Sequence, residues 1–446
     1  MFRKLATTCA RAVVQARLGS RAVLPAQRVM MSSCPATPGF LGAPESKYTP
    51  ELKFIEPREA ADTYLVMDYD GQFVKSDYKV EHDDATLVDW YKLMIKINTM
   101  DNIFYDAQRQ GRISFYMTAF GEEATHVGTA SALDKDDVIF AQYREAGVLM
   151  YRGFTLKQLA HQCFSTHKDL GKGRQMPVHY GSRELNFQTI SSPLGTQLPQ
   201  AVGAAYALKR DKKPNVAVCY FGEGAASEGD FHAAMNFAVT LKAPVVFICR
   251  NNGYAISTPT REQYGGDGIV GRASGYGMKG IRVDGNDVFA VHEATKLARQ
   301  YALENNAPIL VELMSYRAGH HSTSDDSSRY RSVDEIKSWQ SKNNPILRLR
   351  KYLERRNLWN EELETSTRDA ARREVLEALN EAELSKFPPI SQLFTDVYEE
   401  LPHHLRDQRE DWKAHLEKYA ADYNLSSIYV DESEYVNPAP NTGSKQ

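Results

Sequence analysis

Between residues 87 and 110 the apolar side chains Leu87, Trp90, Leu93, Met94, Ile97, Met100, Ile103 and Phe104 recur every three or four positions, with polar residues between them. That spacing lays one apolar stripe along a helix, so a long helix is predicted to open the folded body. Ahead of it, residues 46–84 form an irregular run containing proline and tyrosine. Beyond it the period shortens: apolar, β-branched runs at 138–141, 216–221, 245–249, 281–283 and 309–314 are separated by stretches of helical pattern. Strands alternating with helices predict an α/β fold, a mainly parallel sheet covered by helices on both faces. From about Val333 to Tyr423 the pattern turns charged and helical, and a polar tail follows.

Composition changes this picture at one end. With 446 residues and 42% hydrophobic content the chain can bury a large core, and it has no run of about 18 apolar residues that would span a bilayer. A soluble globular protein is expected, with neither membrane nor nucleic acid as a partner. The net charge is −3, yet residues 1–44 hold six basic residues, Arg3, Lys4, Arg11, Arg17, Arg21 and Arg28, and no acid. An acid-free segment rich in Arg, Ser and Ala reads as a mitochondrial transit peptide; arginines interrupt its apolar residues, which argues against a secretory signal. The expected organisation is a transit peptide at 1–33, an irregular extension at 34–85, an α/β domain at 86–335 and a helical region with its polar tail at 336–446, the mature protein residing in the mitochondrial matrix. Of five cysteines, Cys9 and Cys34 lie in or beside the leader, while Cys163, Cys219 and Cys249 occupy apolar contexts without CxxC or CxxH spacing. Buried free thiols are expected, not a disulfide framework or a zinc site.

Polar chemistry gathers where strands end. In "YFGEGAASEGD", residues 220–230, Glu223 stands between Gly222 and Gly224 at the close of an apolar run. About thirty residues on, "APVVFICRNNGYAIST" ends its own apolar run in Arg250, Asn251 and Asn252. Parallel strands joined by one helix usually lie side by side, and ligands in such sheets bind beyond the carboxyl ends, so Glu223 and Asn252 are expected at one rim. A carboxylate, an amide oxygen and a nearby carbonyl make half an octahedron for Mg²⁺, with a phosphate and water completing it. The glycines and a helix N-terminus suit a diphosphate. A dinucleotide fingerprint fits worse: Ser227 replaces its last glycine, and no acid lies between Phe231 and Arg261 to bind a ribose.

Eight blocks follow one another in order over about 98–335: "RQGRISFYMTAFGEEATHVG", "QYREAGVLMYRG", "LGKGRQMPVHYG", "ISSPLGTQLPQAVGAAYA", "FGEGAASEGD", "RNNGYAISTPT", "IRVDGNDVFAV" and "YRAGHHSTSDDSSRYRSVDE". Together they closely resemble the α subunits of the thiamine-diphosphate-dependent E1 component of mitochondrial 2-oxo acid dehydrogenases, the branched-chain type above all. The resemblance implies thiamine diphosphate, Mg²⁺ and K⁺ as cofactors. It implies Mg²⁺ ligands at Glu223, Asn252 and the carbonyl of Tyr254, and cofactor contacts at Gln142, Tyr143, Arg144, Ser192, Leu194, Gly224, Ala225, Arg250 and His321. It implies a K⁺ site at Ser191, Pro193, Thr196 and Gln197, in a loop where Gly195 stands in place of the family's alanine.

By the same resemblance, the chain forms an α2β2 heterotetramer with a β subunit that supplies the activating glutamate, decarboxylates branched-chain 2-oxo acids, and passes the acyl group, with help from His321, to the lipoyl arm of E2. Ser322 and Ser332 match positions acted on by a dedicated kinase and phosphatase. A phosphate of about −1.5 to −2 charge beside His321 would disorder the loop by repulsion. Taken singly the residues have plainer readings. Arg144 and Arg250 could be surface ion pairs, Tyr143 and Leu194 core, 191–197 a capped helix start, and the serine-rich loop flexible surface. His126, His179 and His320 are read as structural. The alternatives at the level of the protein are a pyruvate dehydrogenase α subunit, where "GHSMSD" is expected in place of "GHHSTSD", and a non-catalytic subunit, which would have lost Glu223, Asn252 or His321.

Overall fold

The five β-branched runs become parallel strands of one seven-stranded sheet in the computed structural model, which describes residues 49–56 and 59–429. The chain divides into two units, 1–58 and 59–446. In the first, residues 49–56 form no helix or strand. The leader at 1–33, Cys9 and Cys34 lie outside the described residues.

The strands of the second unit are β1 (Thr63–Tyr64), β2 (Val138–Phe140), β3 (Phe187–Gln188), β4 (Ala217–Gly222), β5 (Val245–Asn251), the antiparallel hairpin β6 (Tyr254–Ala255) and β7 (Thr258–Pro259), then β8 (Lys279–Asp284) and β9 (Ile309–Met314). The sheet runs β1-β8-β9-β5-β4-β2-β3, and every neighbouring pair is parallel. The strands of three residues or more are those the apolar runs predict, whereas β1, β3 and the hairpin have no such run. Two residues are too short to show a period.

Parallel sheets bury both faces, and here the period of two separates two cores. Val218 and Tyr220 of β4 and Val246 and Ile248 of β5 enter one. Ala217, Cys219, Phe221, Val245, Phe247 and Cys249 enter the other. The first core is closed by α1 (Asp84–Arg109), α2 (Glu123–Ser131), α3 (Ala146–Tyr151) and α4 (Leu156–Cys163), the second by α5 (Gln197–Arg210) and α6 (Gly229–Thr240). The predicted long helix is α1; Asp83 caps it, accepting from Thr86 N at 2.8 Å, which satisfies one of the free N–H groups of the first turn.

After the single turn α7 (Thr260–Gln263), α8 (Val288–Asn305) returns to the first core. The charged C-terminal pattern becomes α9 (Val333–Lys342), α10 (Pro345–Arg355), α11 (Glu361–Glu383) and α12 (His403–Tyr419). Leu349, Tyr352, Val375 and Leu379 from α10 and α11 join the same core as α1. Cys163, Cys219 and Cys249 are buried free thiols, and burial pushes the Cys163 thiol up to about 12. Among the described residues no helix is long and apolar enough to cross a membrane.

Candidate active site

β4 and β5 pair through Gly222 and Arg250, so the residues just past their ends meet at one rim. Glu223 and Asn252 are both buried there, and Asn252 N donates to Glu223 Oε2 at 3.3 Å. The other carboxylate oxygen, Oε1, is buried with no hydrogen-bond partner. Burial pushes the Glu223 carboxyl up to about 7, the nearby Glu122 adding to the shift. A buried carboxylate oxygen without a partner is costly, and a cation beside it would repay that cost.

Two further oxygens suit the same cation. Asn252 Oδ1 receives a long contact from Tyr254 N, 3.4 Å, and the Tyr254 carbonyl accepts from Arg317 Nη1 at 3.2 Å, which leaves a lone pair. Carboxylate, amide oxygen and carbonyl are the hard donors Mg²⁺ takes, so these residues fit it.

Gln142, Tyr143, Arg144, Leu194, Gly224, Ala225, Arg250 and His321 line one cavity of about 200 Å³ with Glu223, Asn252 and Tyr254. Ser192 is not among its lining residues; its hydroxyl pairs with His179 Nε2 at 2.8 Å. Gly224 is glycine for contact, not for a left-handed backbone. Its φ is −64°, but a Cβ there would stand 2.7 Å from Ala255 Cβ in the β6–β7 hairpin. At Gly222 a Cβ would meet only Gln142 Oε1, at 3.8 Å, and would take up cavity space. β4 does not run straight into its helix: the 3₁₀ turn Ala225–Ser227 intervenes before α6.

Behind the rim lies a charge network. Arg250 is buried between the carboxylates of Glu122 and Glu145, its Nη1 donating to the first and its Nε to the second. Burial alone would raise Glu122, but Arg250 and Arg144 outweigh it and hold this carboxyl below its ordinary range. Burial raises Glu145, which Arg250 offsets in part. Neither arginine is a surface ion pair. Arg144, also buried, donates to the Thr118 carbonyl and, through Nη2, to the His321 carbonyl at 2.6 Å and His321 Nδ1 at 3.3 Å. With Nδ1 accepting, the imidazole proton sits on Nε2. Burial, then the charges of Arg144 and Arg317, hold His321 down at about 3.

The loop bearing His321 is tied at several points. Asp325 Oδ2 accepts from His321 N at 2.8 Å and from Tyr330 Oη at 2.5 Å. Arg317 Nη2 reaches the Ile256 carbonyl and Tyr330 Oη, both at 2.7 Å. Ser322 Oγ accepts from Ser324 N at 3.3 Å, and Ser332 is the N-cap of α9, accepting from Glu335 N at 3.1 Å. The Glu335 carboxylate in turn accepts from Tyr254 Oη and Tyr316 Oη at 2.8 and 2.9 Å.

The loop at 191–197 turns inward on itself. Thr196, although it precedes α5, does not cap that helix; its hydroxyl donates toward Ser191 Oγ at 3.0 Å and the Pro193 carbonyl at 3.3 Å. Gln197 Nε2 donates to the Tyr220 carbonyl at 3.1 Å. Ser191, Pro193 and Thr196 oxygens are thus drawn together, as a monovalent cation site would need. Gly195 has φ +86°, a conformation glycine adopts without strain. Of the histidines read as structural, His126 is fully buried with neither ring nitrogen bonded, and His320 Nδ1 accepts from Ser327 N at 3.0 Å.

A larger cavity, about 760 Å³, lies beside the first and shares Tyr254 with it. Size does not locate the chemistry here, because the carboxylate with one unpartnered oxygen and the buried Arg144, Arg250 and Arg317 line the smaller one.

A parallel sheet closed by helices on both faces, with a polar cavity at its carboxyl rim, defines an α/β protein that takes its ligand there. The family model described as "Dehydrogenase E1 component" matches residues 91–391, and the chain belongs to that family, whose cofactor is thiamine diphosphate. It is 55% identical over 403 residues to the "2-oxoisovalerate dehydrogenase subunit alpha, mitochondrial" of Homo sapiens, covering 90% of each chain. The subunit of the same name from Dictyostelium discoideum is 54% identical over 383 residues, 86% of this chain and 87% of that one. The "2-oxoisovalerate dehydrogenase subunit alpha 2, mitochondrial" of Arabidopsis thaliana is 50% identical over 384 residues, 85% and 81% of the two chains.

Proposed function

We propose that this chain is the mitochondrial α subunit of the E1 component of a branched-chain 2-oxo acid dehydrogenase, that it binds thiamine diphosphate through Mg²⁺ held by Glu223, Asn252 and the Tyr254 carbonyl, and that it works with a β subunit and the lipoyl-bearing E2. The observation that carries the reading is the buried Glu223 carboxylate, one oxygen unpartnered, beside Asn252 at the β4–β5 rim. Thiamine diphosphate supplies the carbanion chemistry that accepts the electron pair left by departing carbon dioxide. The chain's own residues bind and orient. Arg144 and Arg317 offer positive charge at the cavity wall, and Leu194, Tyr143 and Ile256 give it apolar surface.

His321 is neutral in the chain alone, its proton on Nε2. Burial is the larger cause of its lowered affinity for a second proton; an anion bound near Arg144 and Arg317 would offset the smaller part due to their charges, so more of the imidazole carries a proton to give when the site is loaded. That is what passing an acyl group to a lipoyl disulfide requires. K⁺ at Ser191, Pro193, Thr196 and Gln197 would hold the loop that carries Leu194. Ser322 and Ser332 are the positions at which a kinase and phosphatase would act, and the matrix is the compartment to which the leader at 1–33 would deliver the chain.

The test is co-expression with a β subunit, followed by decarboxylation assays with 3-methyl-2-oxobutanoate and pyruvate. The pair is expected to turn over the branched substrate and the chain alone neither. Preference for pyruvate would move the protein to the other branch of the family. Robust turnover by the chain alone would overturn the division of the site between subunits.

A further inference from the structure

We infer that Glu122 is a positioning residue for the metal: it fixes which end of the Asn252 amide faces the ion, an inference resting on the assignment of Glu223 and Asn252 as Mg²⁺ ligands. An asparagine side chain presents an oxygen or an NH₂ group depending on how its amide is turned, and only the oxygen can bind Mg²⁺. The decision belongs to whatever the amide touches. Asn252 Nδ2 donates to Glu122 Oε1 at 2.8 Å, and both residues are buried. An ionised carboxylate only accepts, so Glu122 selects the NH₂ end and turns the oxygen away from itself.

Glu122 is itself held. Its second oxygen accepts from Arg250 Nη1, and Arg250 Nε is bound by Glu145, so the carboxylate cannot rotate without breaking a buried ion pair. The neighbouring contacts agree with the assignment: Tyr254 N points at Asn252 Oδ1, and Asn252 N points at Glu223. The chain Glu145–Arg250–Glu122–Asn252 thus ends with an oxygen presented at the rim. Outer partners that orient metal ligands typically contribute ten- to hundredfold in metal affinity.

The test exchanges amide and carboxylate. In Glu122→Gln, Arg250 Nη1 still donates and so holds the amide oxygen at 122, which leaves the NH₂ facing position 252 and draws the Asn252 oxygen toward itself, away from the metal. In the double variant Glu122→Gln/Asn252→Asp, the amide at 122 accepts from Arg250 and donates to the carboxylate at 252, whose other oxygen faces the metal, and the buried charge is unchanged. Binding of Mn²⁺, a spectroscopically visible stand-in for Mg²⁺, is measured with thiamine diphosphate on the assembled α–β protein, assembly and melting being checked alongside. Glu122→Gln is expected to weaken Mn²⁺ binding about ten- to hundredfold, and the double variant to recover most of that loss.

Wild-type affinity in Glu122→Gln, or a double variant no better than the single one, would overturn the positioning role. If Glu122→Gln fails to assemble, the double variant decides alone: assembled with near-wild-type Mn²⁺ affinity it supports the role, and assembled without it refutes it. Asn252→Ala separates the two levels. Unchanged affinity there removes the ligand assignment and the inference with it, whereas a weakened Asn252→Ala beside an unaffected Glu122→Gln overturns the inference alone.

Discussion

Glu223 brings a carboxylate into a place where one of its oxygens meets no donor, and this gives its neutral isostere two effects of opposite sign. Glu223→Gln should lose cofactor affinity by on the order of a hundredfold or more, beyond what outer partners of a metal cost. It should also melt higher than the wild type when both are free of cofactor, because no unpaired charge is buried. Titration calorimetry and melting curves read the two, and a variant that binds normally would refute the ligand assignment. His321 has a similar signature in pH. An unfolded histidine takes up a proton below about 6.5, whereas here burial and two guanidinium groups delay protonation to about 3. The unfolded state therefore binds more protons in that window, so this residue's contribution is intact above about pH 6.5 and is lost as pH falls toward 3. His321→Gln should gain stability relative to the wild type as melts move from pH 7.5 to pH 5; a gap that stays constant would show that the residue titrates normally. At Ser322 charge can be separated from bulk. An acid there stands near Asp325, which already holds His321 N, so Ser322→Glu should lose most activity with lipoyl substrate and Ser322→Gln less. Equal losses would leave a steric account.

Among the elements, α9 carries a role its sequence barely shows. Ser332 caps it, and Glu335, one turn in, holds the hydroxyls of Tyr254 and Tyr316. Ser332→Ala should cost roughly 1 kcal/mol, the usual value of a lost N-cap, and should speed proteolysis between Arg317 and Arg331; an unchanged digestion pattern would show that the cap does not steady the loop. The elements themselves were legible in proportion to their length. α1 and the longer strands declare themselves by period, and because β4 and β5 are parallel neighbours, two strand ends read from sequence became one rim. Glu122 and Glu145 stayed hidden. They meet Arg250 from 128 and 105 positions away, and no local spacing distinguishes a buried acid awaiting an arginine from a solvated one. Glu122 even lies within a stretch, 109–128, that resembles the family. Likeness marks a stretch, while the partner that gives a charge its purpose is supplied by tertiary structure.

At the scale of the whole molecule, Glu223 and Asn252, two of the proposed metal ligands, each sit one residue beyond a strand deep in the sheet. β4 is bonded to β2 and β5, and β5 to β4 and β9, each with a core on either face. Amides in such strands exchange with solvent only when most of the fold opens, whereas the loop from Gly319 to Arg331 is fastened by side chains alone at many of its ties. Deuterium uptake should therefore be slowest at 217–222 and 245–251 and orders of magnitude faster in the loop, and a charge added at Ser322 should speed the loop without moving the strands. Comparable protection in both would deny the distinction. If it holds, phosphorylation at Ser322, as proposed, would switch the molecule off by melting one loop while the proposed metal site at the strand ends keeps its shape, and removing the phosphate would have only that loop to rebuild.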